Sequence, residues 1–220
     1  MKEDTLHNAT KYGVILALLL GFVLPGSALG QATGKVSVEG RGGVAFPVGD
    51  MLDITDIGGT FGGSVLWNFH PNWAVRADVD YMMLDDGRDD FGVLLSPPMD
   101  LMFFGGSIEV NFNEPKYQNL PFTFSVNVGA GMMQMDVDET YDLGHPAAGF
   151  DHSYPAFQGG AKIGYQIKEW INVFVNGTAY FILMDSNDTL VFVNPDAGVT
   201  NFNTGWVIPV TAGVRLTFLR

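Results

Sequence analysis

The sequence predicts an all-β fold, an eight-stranded antiparallel up-and-down transmembrane β-barrel after a cleaved signal peptide. Three observations carry this expectation. Eight segments alternate apolar and polar residues with period two, as strands with two chemically different faces do. The connections between them alternate short and long. The acidic residues gather in the long connections. The composition agrees: 28 Gly, 17 Phe, 7 Tyr and 4 Trp in 220 residues favour strands and turns over helices.

The N-terminus has the pattern of an export signal. Lys2 and Lys11 precede the apolar run "VILALLLGFVL" (14–24), and "PGSALGQA" follows with Ala28 and Gly30 as the small residues of a cleavage site. The run is short of the ~20 residues a spanning helix needs, so a cleaved leader is expected rather than an anchor. The boundaries are 1–30 for the signal peptide and 31–220 for one barrel domain. No later segment is long and apolar enough for a transmembrane helix.

The eight segments are "KVSVEGRGGVAF" (35–46), "TFGGSVLWNF" (60–69), "WAVRADVDYMM" (73–83) and "LMFFGGSIEVNF" (101–112), then "PFTFSVNVGAGMMQ" (121–134), "PAFQGGAKIGYQI" (155–167), "INVFVNGTAYFIL" (171–183) and "GWVIPVTAGVRLTF" (205–218). Each is about as long as a tilted membrane strand, ~9–11 residues, or slightly longer. "HPN", "NEPKYQNL" and "KEW" make the short connections. The long ones are 47–59, 84–100, 135–154 and 184–204. In a meander this puts every long link at one end and both chain ends at the other, as in barrels with short inner turns and long external loops. Pro209, inside the last segment, removes a ladder donor and predicts a bulge or irregular pairing.

Charge follows the same division. The long links hold Asp50, Asp53, Asp56, Asp85, Asp86, Asp89, Asp90, Asp100, Asp136, Asp138, Glu139, Asp142, Asp151, Asp185, Asp188 and Asp196. That is 16 of the 24 acidic residues, against one basic residue, Arg88. Solvated turns account for this, and divalent-cation binding is the functional alternative. No stretch matches a calcium-loop pattern. A net charge of −13 argues against nucleic acid as a partner.

Sorting the strands by face separates two chemistries. One face is apolar, with Val75, Val79, Phe104, Ile108, Phe124, Val128, Ile163, Val175, Val214, Leu216 and Phe218 among its members. The other is polar and carries Glu39, Asp78, Asp80 and Glu109 against Arg41, Arg76, Lys162 and Arg215. Four acids against four bases suit an enclosed lumen, where an unpaired charge is costly. The expectation is therefore polar inside and apolar toward lipid. The aromatic residues divide between the two ends, as interfacial belts do. Trp67, Phe69, Trp73, Phe112, Tyr117, Phe122, Trp170 and Phe218 fall at the short-turn end. Phe46, Tyr81, Phe103, Tyr154, Tyr180 and Trp206 fall at the long-link end.

Three stretches carry a resemblance. "VEGRGGVAFPVGD" resembles a first strand entering a first external loop. "WNFHPNWAVRADVDY" resembles a strand, tight turn, strand hairpin. "TAGVRLTF" resembles a terminal assembly signal, here Thr211, Gly213, Leu216 and Phe218. From about residue 34 to 220 the chain is similar to the small eight-stranded outer-membrane β-barrels, the group of the OmpA transmembrane domain and its OmpX-like relatives. The resemblance implies a cell outer-membrane location with acidic loops external and termini periplasmic. It implies a lumen plugged by ionic contacts, and outer-membrane lipid, lipopolysaccharide and the barrel-assembly machinery as partners. It fixes no chemistry.

The expected role is structural or surface-interacting, as a monomer without cofactor, metal or catalysis. A narrow passive channel and a soluble periplasmic lipocalin-like binder are the alternatives, with a membrane enzyme behind them. In "FDHSYP", Asp151, His152 and Ser153 are a hydrolase-like set, but adjacent residues point apart while a triad must converge. His145 and His152 with Asp142 and Asp151 are metal-ligand types in a Gly/Pro-containing link, without a ligand-spacing pattern. "GGTFGG" (58–63) and "GAGMMQ" lack the strand–helix context of a phosphate cradle. Met132, Met133 and Met135 read as wall and gap filling.

Overall fold

The computed structural model describes residues 34–52, 55–70, 72–88, 94–96, 98–112, 121–137, 140–142, 145–147, 150–168, 170–184 and 204–218. The expected signal peptide lies outside these residues. Eight long strands form the wall: β1 (Lys35–Val48), β2 (Thr55–His70), β3 (Trp73–Arg88), β4 (Met99–Asn111), β5 (Phe122–Val137), β6 (Phe150–Lys168), β7 (Ile171–Leu183) and β8 (Thr204–Phe218). Each pairs antiparallel with its sequence neighbours. β1 also pairs with β8, from Val36 opposite Phe218 to Val48 opposite Trp206, which closes the barrel. Both barrel ends of the chain therefore lie beside the tight turn between β2 and β3. There Asn111 N–H donates to Asn72 O at 2.8 Å, and Thr217 N–H donates to Trp170 O at 3.0 Å.

The strands overrun the expected boundaries, mostly at the end of the long links. β2 begins at Thr55, β3 runs to Arg88, β5 runs to Val137 and β6 begins at Phe150. Much of the expected link sequence is thus strand, including Asp56, Asp85, Asp86, Asp100, Asp136 and Asp151. Between β1 and β2 a single 3-10 turn, Gly49–Met51, starts at Gly49 with φ 64°, a conformation that favours glycine. A short strand, Leu94–Ser96, pairs with the end of β3, and a small hairpin joins Thr140–Asp142 to His145–Ala147. Pro209 produces a gap rather than a bulge. β7 and β8 pair at Gly177–Val210 and again at Tyr180–Val207, with no register shift between. The missing donor skips two rungs and the ladder resumes.

Glycines let large side chains fold inward in a narrow interior. The Phe103 ring tip lies 2.5 Å and 2.8 Å from where Cβ atoms of Gly105 and Gly131 would stand. The Asp80 carboxylate similarly takes the space a Cβ on Gly62 would need.

Candidate functional site: a charged lumen beneath an apolar head

Side chains alternate between wall exterior and interior, except where β2 shifts register between Asp56 and Gly59. The most exposed large apolar residues include Val128 (68%), Phe122 (63%) and Ile163 (60%), while Glu39, Arg76, Asp78, Asp80, Glu109 and Lys162 are at most 4% exposed. Polar residues fill the inside along the lower part of the barrel, and a lipocalin-like arrangement with the apolar face inside is not how this part is built.

All eight charged residues singled out from the sequence meet in one network. On β1, Arg41 grips Asp80 with Nε to Oδ1 at 2.9 Å and Nη2 to Oδ2 at 2.6 Å. On β3, Arg76 donates to Glu109 Oε2 at 2.6 Å and to Asp78 Oδ1 at 2.8 Å. Lys162 on β6 donates to Glu39 Oε1 at 2.6 Å and Glu109 Oε2 at 3.0 Å, and lies 4.7 Å above the Phe174 ring. Arg215 on β8 bridges Glu39 Oε1 at 2.5 Å and Glu109 Oε1 at 2.6 Å. In the register, Glu39 stands directly opposite Arg215.

Neutral donors complete the carboxylates. Asp78 accepts from Ser64 at 2.5 Å, Ser107 at 2.7 Å and Gln158 at 2.9 Å. Asp80 also accepts from the Tyr180 hydroxyl at 2.5 Å. Ser64 and Tyr180 were not foreseen as members. Tyr180, Phe103 and Tyr154, expected in the upper aromatic belt, are interior instead, and the Phe103 and Tyr180 rings lie 4.7 Å apart. Strand parity decides this: Tyr180 shares the inward face of Asn176 and Thr178. The other belt residues that the structure describes lie outward, Trp67, Phe69, Trp73, Phe112, Phe122, Trp170 and Phe218 below and Phe46, Tyr81 and Trp206 above. Tyr117 lies outside the described residues.

Above the network the interior changes character. Met82, Leu84, Met99, Leu101, Phe103, Met133, Met135, Val137, Ile182 and Val207 form a buried apolar cluster with Met51 from the 3-10 turn. Met51 packs with Met184 against Gly205, and its carbonyl accepts from Thr55 Oγ1 at 2.9 Å. On the outer face at this level stand Asp56, Asp85, Asp100, Asp136 and Asp151. The polarity of the wall has inverted. On β3 the inward residues read Arg76, Asp78, Asp80, then Met82, Leu84, while the outward ones read Val75, Val79, Tyr81, Met83, then Asp85.

The terminal signal residues divide by parity. Thr211 and Gly213 face in, with Gly213 leaving room for the Phe174 ring, while Leu216 and Phe218 face out. The hydrolase-like set does not converge. Asp151 stands opposite Asp136 and Ser153 opposite Gln134 on the outer face, while His152 pairs with Met135 on the inner parity. Asp142 and His145 are opposed in the small hairpin, their side chains outside the described residues.

No protein-family model and no curated protein sequence matches the chain. Solved structures do match. The chain is similar to Neisserial surface protein A, with a TM-score of 0.56 at 12% identity, covering 86% of this chain and 100% of that one. It is similar to the outer membrane protein OprG from Pseudomonas aeruginosa, with a TM-score of 0.50 at 15% identity over 87% and 99% of the two chains. It is also similar to a major outer membrane protein from Thermus thermophilus, with a TM-score of 0.50 at 15% identity over 85% and 100%. The chain has the fold of the small eight-stranded outer-membrane β-barrels.

Proposed function

We propose that the protein is a monomeric, integral outer-membrane β-barrel with a structural or surface-interaction role, its lumen closed by the ionic network and its acidic end external. The polarity inversion is the observation that carries this. Below it, the barrel is apolar outside and charged inside, which suits lipid. Above it, the barrel is acidic outside and apolar inside, which suits water on the outer face. One chain built both ways is suited to a wall that crosses a bilayer and then stands clear of it.

The dimensions agree. The outward apolar run of β3 goes from Trp73 to Met83. At ~3.3 Å per residue and a tilt of ~40° it rises about 25 Å, the height of an outer-membrane apolar band. Lipid and lipopolysaccharide acyl chains are its expected partners along that band. The barrel-assembly machinery is expected to read Thr211, Gly213, Leu216 and Phe218. The termini would then be periplasmic.

The test is fractionation followed by a denaturing gel of boiled and unboiled samples. The protein is expected in the outer-membrane fraction, with the unboiled form migrating differently. Recovery in the periplasmic extract without a mobility shift would reject the reading. A narrow passive channel is the second reading. It is favoured by Glu39 Oε2, Arg76 Nε and Asn176 Oδ1, buried polar atoms that make no hydrogen bond with the described residues and could be served by water in the lumen. Planar-bilayer conductance separates the two.

A further inference from the structure

The rim of the barrel where β4, β5 and β6 run side by side carries two rungs of chemistry back to back. On the outer face, Asp100 stands directly opposite Asp136, and Asp136 directly opposite Asp151. On the inner parity, each acid has a sulfur or imidazole neighbour in sequence: Met99 beside Asp100, Met135 beside Asp136 and His152 beside Asp151. Met135 is the direct register partner of His152. Met99 pairs with Val137 and Leu101 pairs with Met135, so Met99 is the diagonal neighbour of Met135. Directly opposed residues have Cβ atoms about 5 Å apart and diagonal ones about 7–8 Å, within reach of long side chains.

We propose that Met99, Met135 and His152 form a binding site for a soft monovalent metal cation, Cu(I) or Ag(I), at the outer rim. The donor set selects the metal. Thioethers are neutral, soft ligands that suit Cu(I), and imidazole suits copper as well, whereas hard cations take oxygen. Among the described residues no group of three His, Cys, Asp or Glu side chains is placed to hold a metal. The carboxylates serve differently. Like charges opposed across strands are unfavourable on their own, and three of them one residue from the ligands set up a negative field that draws cations to the rim.

Access is graded. Met99 and Met135 are fully buried in the apolar cluster, while His152 is exposed, with its ring 6.2 Å from that of Tyr154 and nearly parallel to it. His152 is thus the point of capture and the two thioethers the interior of the site. Methionine also explains how a packed cluster admits an ion. Its unbranched side chain re-packs at small cost where a Leu or Ile would not.

The experiment uses the full chain in detergent micelles with methionine labelled at the ε-methyl carbon, titrated with silver nitrate in chloride-free buffer. Ag(I) is a redox-inert probe for Cu(I). Met102 on β4, Met132 on β5 and Met83 on the adjoining β3 face outward and serve as internal controls. Saturable shifts at Met99 and Met135, with the three outward methionines unmoved, are expected. Met135→Leu keeps volume and apolarity, so the gel-mobility difference should survive. Silver affinity should fall at least about tenfold, the scale on which even ligand-orienting partners act. His152→Ala should lower it likewise. Absent shifts, shifts equal at inner and outer methionines, or unchanged affinity in Met135→Leu would each overturn the proposal. Displacement of Ag(I) by an equal concentration of Zn(II) would also overturn it, because it would place the ion on imidazole and carboxylate instead.

Discussion

Arg76 holds three carboxylates at once, Glu109 at 2.6 Å, Asp78 at 2.8 Å and Glu39 at 3.4 Å. Arg76→Ala leaves four buried acids facing three bases, and removing one partner from a buried pair costs about 3–5 kcal/mol. Urea unfolding in lipid vesicles should show that loss. Adding Glu109→Gln to Arg76→Ala restores the charge balance and should recover part of it. If the double variant is no more stable than the single one, charge count is not what the network balances. Glycine offers a matched pair. A Cβ on Gly62 would collide with the Asp80 carboxylate, whereas one on Gly40 has nothing within 4 Å. Gly62→Ala should therefore destabilise the barrel by about 1–3 kcal/mol, on the scale of overpacking, and Gly40→Ala should be near neutral or better. Equal effects at the two positions would discount the contact between Gly62 and Asp80. The eight charged residues were legible in the sequence because each breaks an apolar alternation on a fixed parity. Tyr180 was not, because "TAYFIL" is apolar on both parities and gives no contrast. Ser64 was not singled out either: nothing local marks it as the hydroxyl that links Arg41 to Asp78.

At the scale of the strand, β3 shows why the expected boundaries fell short. The strand runs from Trp73 to Arg88 and its in–out alternation holds from Trp73 to Asp85, but the sign of that alternation changes after Tyr81. Apolar residues occupy odd positions up to there, and the even positions Met82 and Leu84 are buried beyond it. A scan for one apolar face sees a strand end at that point, although the backbone ladder continues. Met99 and Leu101 on β4 and Met133, Met135 and Val137 on β5 give the same crossing on the neighbouring strands. The lower strand, its faces and its tight turns were legible because outward-facing and lumen-facing residues differ sharply. The upper extension was not, because it obeys the opposite rule. The crossing also locates a chemical boundary that can be probed. Val79→Arg puts a charge on the outward face within the apolar band and should cost about 2–4 kcal/mol, while Asp85→Arg, beyond the crossing, should cost about 0–1 kcal/mol. Equal costs, measured by the same unfolding assay, would mean that the two positions face the same medium.

For the whole molecule, in the proposed reading, the two storeys divide the work of sealing the lumen. The lower storey is ionic, and it is tied together by residues from seven of the eight strands: Glu39 and Arg41, Ser64, Arg76 with Asp78 and Asp80, Ser107 and Glu109, Gln158 and Lys162, Tyr180, and Arg215. Ion pairs can exchange partners, so this layer alone is a seal that water could thread. The upper storey is apolar and buried, roofed by Met51 on its 3-10 turn. Hydrated alkali ions or halides that passed the network would meet a layer lined mainly by aliphatic, aromatic and thioether groups, which cannot replace the water such hard ions hold, so desolvating them there is prohibitive. Loosening the ionic layer should therefore not open the barrel. In planar bilayers Arg76→Ala is expected to show no single-channel steps beyond wild type, even though it unfolds at lower urea, with the gel-mobility difference certifying that it is folded. Stable conductance from Arg76→Ala alone would show that the ionic layer is the only barrier and would favour the channel reading. A silent Arg76→Ala assigns the seal to the apolar head, in which case the lumen charges serve to hold the strands together.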